Sequence, residues 1–390
     1  MKQPDIDYWI RQMLASRARI SDLNITAGKP LQVEADGVMA PVLVDPEVSE
    51  LTPFQAEVFA LNLMRGDKRL LNELVLHGSC DMSYWVDAKT RFRVNVFSQK
   101  NRLSAVLRLL ETRLPTIDGL NLPDVFHGMP NLKNGLVLFT GATGTGKTTS
   151  LAAILEEINT SQAVHVVALE DPIEYVHPHN KATFSQRELG VDFDTFANGL
   201  RAALRQAPKV ILVGEMRDRE TLEIALTAAE TGHLVFSTLH TVDAGQSINR
   251  ILGMFDKDEQ AQTRNRLVDT LRWVVGQRLL PRVDAGRVAA FEIMGMNLRL
   301  ADLIVNGESE GKTFYEVIAS STPMGWQTFD QAILHLYEEG LVSEETALRY
   351  CSRRSVLSRG LDQLKAARGE ATTGITGLAM EKKKQHDDFY

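Results

Sequence analysis

Gly141-Ala142-Thr143-Gly144-Thr145-Gly146-Lys147-Thr148 fits the pattern G-x-x-x-x-G-K-[ST], whose chemistry is a grip on the phosphate chain of a nucleotide. Glycines at 141, 144 and 146 let the backbone turn tightly, so that the N–H groups of the loop, including those of Ala142, Thr143 and Thr145, point inward as an anion nest. A helix beginning near Gly146 adds the positive end of its dipole. In such a loop Lys147 bridges the β- and γ-phosphates, and the Thr148 hydroxyl, with Thr149 beside it, faces Mg²⁺. The ligands implied are ATP and Mg²⁺. A Gly-rich turn with a surface lysine is the competing reading. The order of elements disfavours it: an apolar run, Leu136 to Phe139, enters the loop, and a helical pattern of Leu151, Ile154, Leu155 and Ile158 leaves it.

Hydrolysis also needs carboxylates for Mg²⁺ and for the attacking water, at the carboxyl ends of parallel strands. Two stretches qualify. The apolar run Val164–Leu169 ends in Glu170-Asp171-Pro172-Ile173-Glu174, and Val210–Val213 ends in Gly214-Glu215-Met216-Arg217-Asp218. Glu215 is the candidate for the Mg²⁺ water shell and Glu174 for polarising the attacking water. The alternatives are an N-cap at Asp171 and an Arg217–Asp218 surface pair. His233 opens the next apolar strand and His240 closes it. Either could sense the γ-phosphate, or be a satisfied structural histidine.

These residues need a scaffold of alternating strands and helices. Candidate strands are Leu136–Thr140, Val164–Leu169, Val210–Val213 and Leu234–Thr238; candidate helices are 147–159, 194–206, 219–231 and 244–253. That alternation predicts a mostly parallel sheet with helices on both faces. A long helix is expected over about 258–280, a strand over 287–294, and mostly helix over 298–367, including 329–339 and 343–352.

Residues 1–113 read differently. An amphipathic helix is expected over 1–20, with Ile6, Trp9, Ile10, Met13 and Leu14 on one face. Asp36-Gly37 marks a hairpin. Thr52-Pro53 opens a helix carrying Phe54, Val58 and Leu61. Strands through 82–86, 91–97 and 103–109 follow, with Phe92, Val94 and Val96 facing one way and Arg91, Arg93 and Asn95 the other. Together these make a small α+β domain. The expected organisation is therefore 1–113, a linker over 114–130, an ATPase core over 131–295, a helical subdomain over 296–368 and a disordered tail over 369–390.

With 390 residues the chain is too long for one ordinary core. A net charge of −7 argues against a nucleic-acid surface spread over the whole molecule. Two cysteines without a C-x-x-C pair exclude a zinc ribbon and a disulfide framework. No apolar run is long enough to span a bilayer, so membrane business is expected to go through a partner.

Taken together, Gly141–Thr149, Leu169–His177, Val213–Asp218 and His233–Thr241 resemble the Walker A, Asp, Walker B and His boxes of the secretion ATPase superfamily. Within it the chain is similar to the type IV pilus retraction ATPases of the PilT and PilU kind, most of all PilU. The resemblance implies a PAS-like N-terminal domain, a RecA-like P-loop domain with a helical C-terminal extension, and a homohexameric ring. It implies a cytoplasmic protein docked on a PilC-like platform protein of the inner membrane at the pilus base. It also implies that arginines of the first domain, here Arg91, Arg93 and Arg108, stand beside the nucleotide; a solvated strand face is the other reading.

Three features depart from PilT. Its Ala-Ile-Arg-Asn-Leu-Ile stretch is here Arg299-Leu300-Ala301-Asp302-Leu303-Ile304, the usual Pro-Asp before Walker B is Pro208-Lys209, and the chain runs past PilT's usual end. The function expected is a Mg²⁺-ATP-driven retraction motor for twitching motility. The alternative is an accessory coupling module that depends on a sister PilT. A small-molecule P-loop kinase lacks support, since nothing resembles a lid over an acceptor substrate.

Overall fold

The computed structural model describes residues 3–87, 90–110 and 113–370. The turn residues 88 and 89 and all but the first two residues of the expected tail lie outside them. Two compact units divide the chain, Met1–Asn134 with Thr148–Ser237, and Gly135–Lys147 with Thr238–Tyr390.

The chain opens with α1 (Gln3–Ala15), β1 (Ile20–Ile25), β2 (Gln32–Ala35) and β3 (Val38–Pro41). Helix α1 buries Ile6, Trp9, Ile10 and Met13 as its periodicity dictates, but it stops five residues before Ile20, which already belongs to a strand. Asp36 and Gly37 join β2 to β3 with φ of 52° and 78°, the pair of left-handed residues that a tight hairpin requires. Helix α2 (Pro53–Leu63) has a complete capping box between Thr52 and Gln55. It buries Ala56, Phe59, Ala60 and Leu63, whereas Phe54 and Leu61 face out. After α3 (Lys68–His77) come β4 (Ser79–Asp87), β5 (Thr90–Gln99) and β6 (Arg102–Leu110). The six strands form one sheet in the order β3-β2-β1-β6-β5-β4, antiparallel at every pairing. Phe92, Val94 and Val96 are fully buried on its inner face, as their alternation predicts.

Past α4 (Val125–Gly128) the chain enters β7 (Gly135–Thr140), the Gly-rich loop and α5 (Lys147–Ser161). Then follow β8 (His165–Glu170), β9 (Thr183–Glu188), α6 (Phe196–Ala203), β10 (Val210–Val213), α7 (Arg219–Glu230) and β11 (Leu234–Leu239). Strands β7, β10 and β11 are buried at every position, the mark of strands covered on both faces. In the first unit β11, β10, β8 and β9 run parallel in that order. Strand β9 was not expected, because Thr183-Phe184-Ser185-Gln186-Arg187-Glu188 is mostly polar.

The second unit holds β7 and, beyond β11, α8 (Ala244–Leu252), α9 (Gln260–Thr270), β12 (Leu271–Pro281) and β13 (Arg287–Met294). Strand β12 corrects the expectation of a helix over 258–280. The helix ends at Thr270, and Leu271–Pro281 pairs parallel to β7 and antiparallel to β13. The helical remainder is α10 (Leu298–Asn306), α11 (Phe314–Ala319), α12 (Phe329–Glu338), α13 (Glu344–Tyr350) and α14 (Arg354–Ala367). Leu280, Phe329, Ile333, Leu357 and Leu361 form its core. Among the described residues no helix is long and apolar enough to cross a membrane.

Candidate functional site

Gly141 and Gly146 sit at φ of 144° and 88°, and both press on β12. A Cβ on Gly141 would lie 2.5 Å from the Gln277 carbonyl oxygen, and one on Gly146 would lie 2.9 Å from Gln277 Nε2. The loop is therefore a cradle that only glycine permits at these points. Lys147 Nζ donates to the carbonyl oxygens of Gly141 (2.7 Å) and Ala142 (2.9 Å), so its ammonium is held within the loop. Gln277, 3% exposed, is a supporting residue that periodicity concealed, since its segment reads as helix.

The turn after β11 is fixed to the same unit. Thr140 Oγ1 donates to the Thr241 carbonyl at 2.6 Å, and Thr241 and Ser247 share a hydrogen bond of 2.7 Å. Asp243 caps α8, whose first amide, Ala244 N, donates to Glu292 at 2.8 Å. Burial pushes the Glu292 carboxyl up to about 7. His240 sits in this turn and is exposed.

In the first unit, parallel pairing of Leu169 with Val213 brings Glu170 and Glu215 to the same edge of the sheet. Glu215 is 9% exposed and pairs with Arg217 Nε at 2.6 Å. The alternative of an Arg217–Asp218 surface pair is not what the described contacts show: Arg217 pairs with Glu215, and Asp218 caps α7 by accepting from Thr221 N. Asp171 stands in the same electrostatic neighbourhood. Burial raises its carboxyl, the charge of Glu215 adds to the rise, and Arg217 and Arg93 oppose it. Nothing in the sequence separated Asp171 from a helix cap.

Glu174 is exposed on the loop after β8, and that loop is clamped by β9. Gln186 Nε2 donates to Glu170 Oε1 (2.9 Å) and to the Tyr175 carbonyl (2.7 Å), and Gln186 Oε1 accepts from His177 N (2.9 Å). Glu188 Oε2 accepts from Ile173 N at 3.2 Å. Tyr175 Oη and Thr149 Oγ1 lie 3.2 Å apart, tying the loop to the first turn of α5.

The three arginines have separate fates. Arg91 is 3% exposed and ion-paired with Glu188 at 3.2 Å, not displayed on a solvated face. Arg93 is exposed and directly opposite Arg108 across β5 and β6. Arg108 Nε donates to Asp22 at 2.9 Å while most of its side chain stays open. The histidines also separate. His233 lies at the amino end of β11, with Nδ1 at 3.0 Å from the Ala228 carbonyl, and so at the opposite end of the parallel strands from Glu215.

The Gly141–Lys147 nest with its lysine suits a polyphosphate, and within the first unit Glu170 and Glu215 share one edge of the parallel strands. Among the described residues no three or more His, Cys, Asp or Glu side chains gather as a metal cage. Thr148 and Glu215 offer hard oxygen donors, which suits a Mg²⁺ held largely by phosphate and water.

The chain matches the family described as "Type II/IV secretion system protein" over residues 77–328. It is 40% identical to the type IV pilus ATPase PilU of Pseudomonas aeruginosa over 331 residues, 85% of each chain. It is 39% identical over 340 residues to the retraction ATPase PilT of the same organism, 87% of this chain and 96% of that one. The crystal structure of the pilus retraction motor PilT with bound ADP superposes with a TM-score of 0.82 at 39% identity, covering 92% of this chain and 99% of that one.

Proposed function

The chain belongs to the type II/IV secretion ATPase family and is an ATPase of that superfamily; on that premise we propose that it is a PilU-like motor for type IV pilus retraction. The observation that carries the reading is the Gly141–Lys147 cradle, glycine-dependent at both points where it meets Gln277. In this reading Lys147 and the loop amides hold the β- and γ-phosphates of ATP. Thr148 and, through water, Glu215 would hold Mg²⁺, which supplies neutralisation of phosphate charge when bound. Glu174 polarises the water that attacks the γ-phosphorus as the bond to the β-phosphate oxygen breaks. Arg93 and Arg108 approach the phosphates, and His240 reads the γ-phosphate. Turnover in a homohexameric ring reorients the N-terminal domain against the core and turns a PilC-like platform protein at the cytoplasmic face of the inner membrane. Phosphate release by the purified protein, by Lys147→Ala and by Glu215→Ala tests this. Loss in both variants supports it, and equal rates in all three remove it.

A second reading makes the chain an accessory that works only beside a sister PilT. The altered segment Arg299–Ile304 favours it: Arg299 and Leu298 are exposed on α10, and Asp302 is tied to Lys312 and Asn306. Deleting the sister gene then abolishes retraction with this gene intact. Retraction that persists excludes the accessory role.

A further inference from the structure

A guanidinium buried to 3% exposure needs an account of every donor it carries. Arg91 Nη2 donates to Ser83 Oγ at 2.7 Å and to Glu188 Oε2 at 3.2 Å. Its Nε and Nη1 have no hydrogen-bond partner among the described residues. The Trp85 ring lies 5.2 Å from the guanidinium carbon. Burial pulls the Arg91 charge towards neutrality, and the Glu188 carboxylate opposes that pull. Such an arginine serves poorly as a phosphate ligand, because its one carboxylate partner is already engaged and its face is closed.

Glu188 makes the arrangement informative. Its Oε2 accepts from three donors: Arg91 Nη2, Ser83 Oγ at 3.2 Å and Ile173 N at 3.2 Å. Ser83 and Arg91 belong to β4 and β5 of the N-terminal sheet. Ile173 is the residue before Glu174. A single buried oxygen thus joins the N-terminal sheet to the loop that carries the water-polarising carboxylate.

We infer that Arg91 and Glu188 are a positioning pair through which the N-terminal domain holds the Glu174 loop in its working conformation. The inference rests on the role proposed for Glu174 and deepens it. Moving the sheet away from β9 withdraws Arg91 and Ser83 together. It leaves a buried carboxylate with one amide donor, a state costly enough that the carboxylate seeks water or another cation. The Ile173 anchor then loosens, although Gln186 still holds Tyr175 and His177. Domain position is in this way read at the catalytic loop without any change in the phosphate cradle.

Two readouts on the full chain test the pair. The first is amide hydrogen exchange over 171–177 in the parent, Arg91→Ala, Glu188→Gln and Ser83→Ala. Relative to the parent, exchange there quickens by about tenfold in Arg91→Ala and Glu188→Gln and less in Ser83→Ala, while peptides of the 141–147 loop keep their rates. Unchanged exchange over 171–177 overturns the inference, and this readout stands even if the protein hydrolyses nothing. The second is ATP turnover with a separate titration of a fluorescent ATP analogue. Arg91→Ala and Glu188→Gln lower kcat by about tenfold or more with Kd kept within about twofold, and the double variant is no worse than the poorer single. A weakened Kd in Arg91→Ala alone overturns the pair and makes Arg91 a phosphate ligand. Independent, multiplying losses overturn it as well. Should Arg91→Ala fail to fold, Glu188→Gln and Ser83→Ala carry the same reading, since each keeps the volume of the side chain. Absent turnover in the parent sinks the motor reading rather than the pair.

Discussion

Glu170 and Gln186 meet at 2.9 Å, and the same amide nitrogen of Gln186 reaches the Tyr175 carbonyl at 2.7 Å. The Glu170 carboxyl is thereby built into the floor of the loop that carries Glu174, and burial pushes it from the ordinary 4.5 up to about 7. The fold favours its neutral form. Its contribution to stability is therefore full below about 4.5 and is lost as pH rises through about 7. Glu170→Gln removes this titration while keeping an acceptor for Gln186. Thermal melts from about pH 5 to about pH 8 should show the variant gaining on the parent as pH rises, by on the order of a few kcal/mol at most. Part of the slope remains, because Glu292 is raised into the same window. Parallel curves for parent and variant refute the assignment.

The phosphate cradle makes a steric prediction. Gly141→Ala places a methyl 2.5 Å from the Gln277 carbonyl at a φ of 144°, where an L side chain is strained as well as crowded. Nucleotide affinity should fall by about tenfold or more, with about 1–3 kcal/mol of lost stability. Gly144→Ala is the control: no atom lies within 4 Å of its Cβ, and φ is 80°. Only backbone strain of about 1–2 kcal/mol remains there. Fluorescent-nucleotide titration and a denaturant melt on both variants separate the crowding from the strain.

The two histidines that bracket β11 should behave unequally. His233 faces the Ala228 carbonyl at the amino end of the strand, whereas His240 follows its carboxyl end, beside Thr241 and the Thr140 contact. His233→Ala should leave kcat within about twofold of the parent, and His240→Ala should lower it by about tenfold or more. Steady-state phosphate release on both variants decides the matter. Equal losses contradict the separation of the two ends.

The chemistry of the site was legible where residue type and spacing act locally. The glycines and Lys147 declare their loop, Asp36-Gly37 its hairpin, and Thr52-Pro53 the start of its helix. Contacts made at long range were not legible. Arg91 and Arg93 alternate identically on β5, yet one is sealed against Glu188, 97 positions away, and the other is open. β9 went unseen because its polar residues, Gln186 and Glu188, are spent on the neighbouring loop rather than on a core. Leu271–Leu280 misled for the opposite reason. Leu267, Leu271, Val274 and Val275 satisfy helical spacing, but the segment is also rich in β-branched and apolar residues, and lateral pairing with β7 and β13 decides in favour of a strand.

Gly276 is the point in that strand where the pairing leaves its clearest trace. It lies opposite Thr140 of β7 on one side and Glu292 of β13 on the other. A Cβ there would stand 2.8 Å from Phe329 Cζ and 3.3 Å from Glu292 Cβ. Phe329 is fully buried at the start of α12, with the Arg278 guanidinium carbon 3.7 Å from its ring centroid, so the ring has little room to retreat. Gly276→Ala should therefore cost about 1–3 kcal/mol by overpacking. The effect should also reach the nucleotide, because the adjacent Gln277 supports Gly141 and Gly146. A denaturant melt paired with nucleotide titration reads both. Phe329→Leu in the Gly276→Ala background shrinks the opposing side chain and should return part of the stability. A double variant no better than the single would show that the strain lies at Glu292 instead.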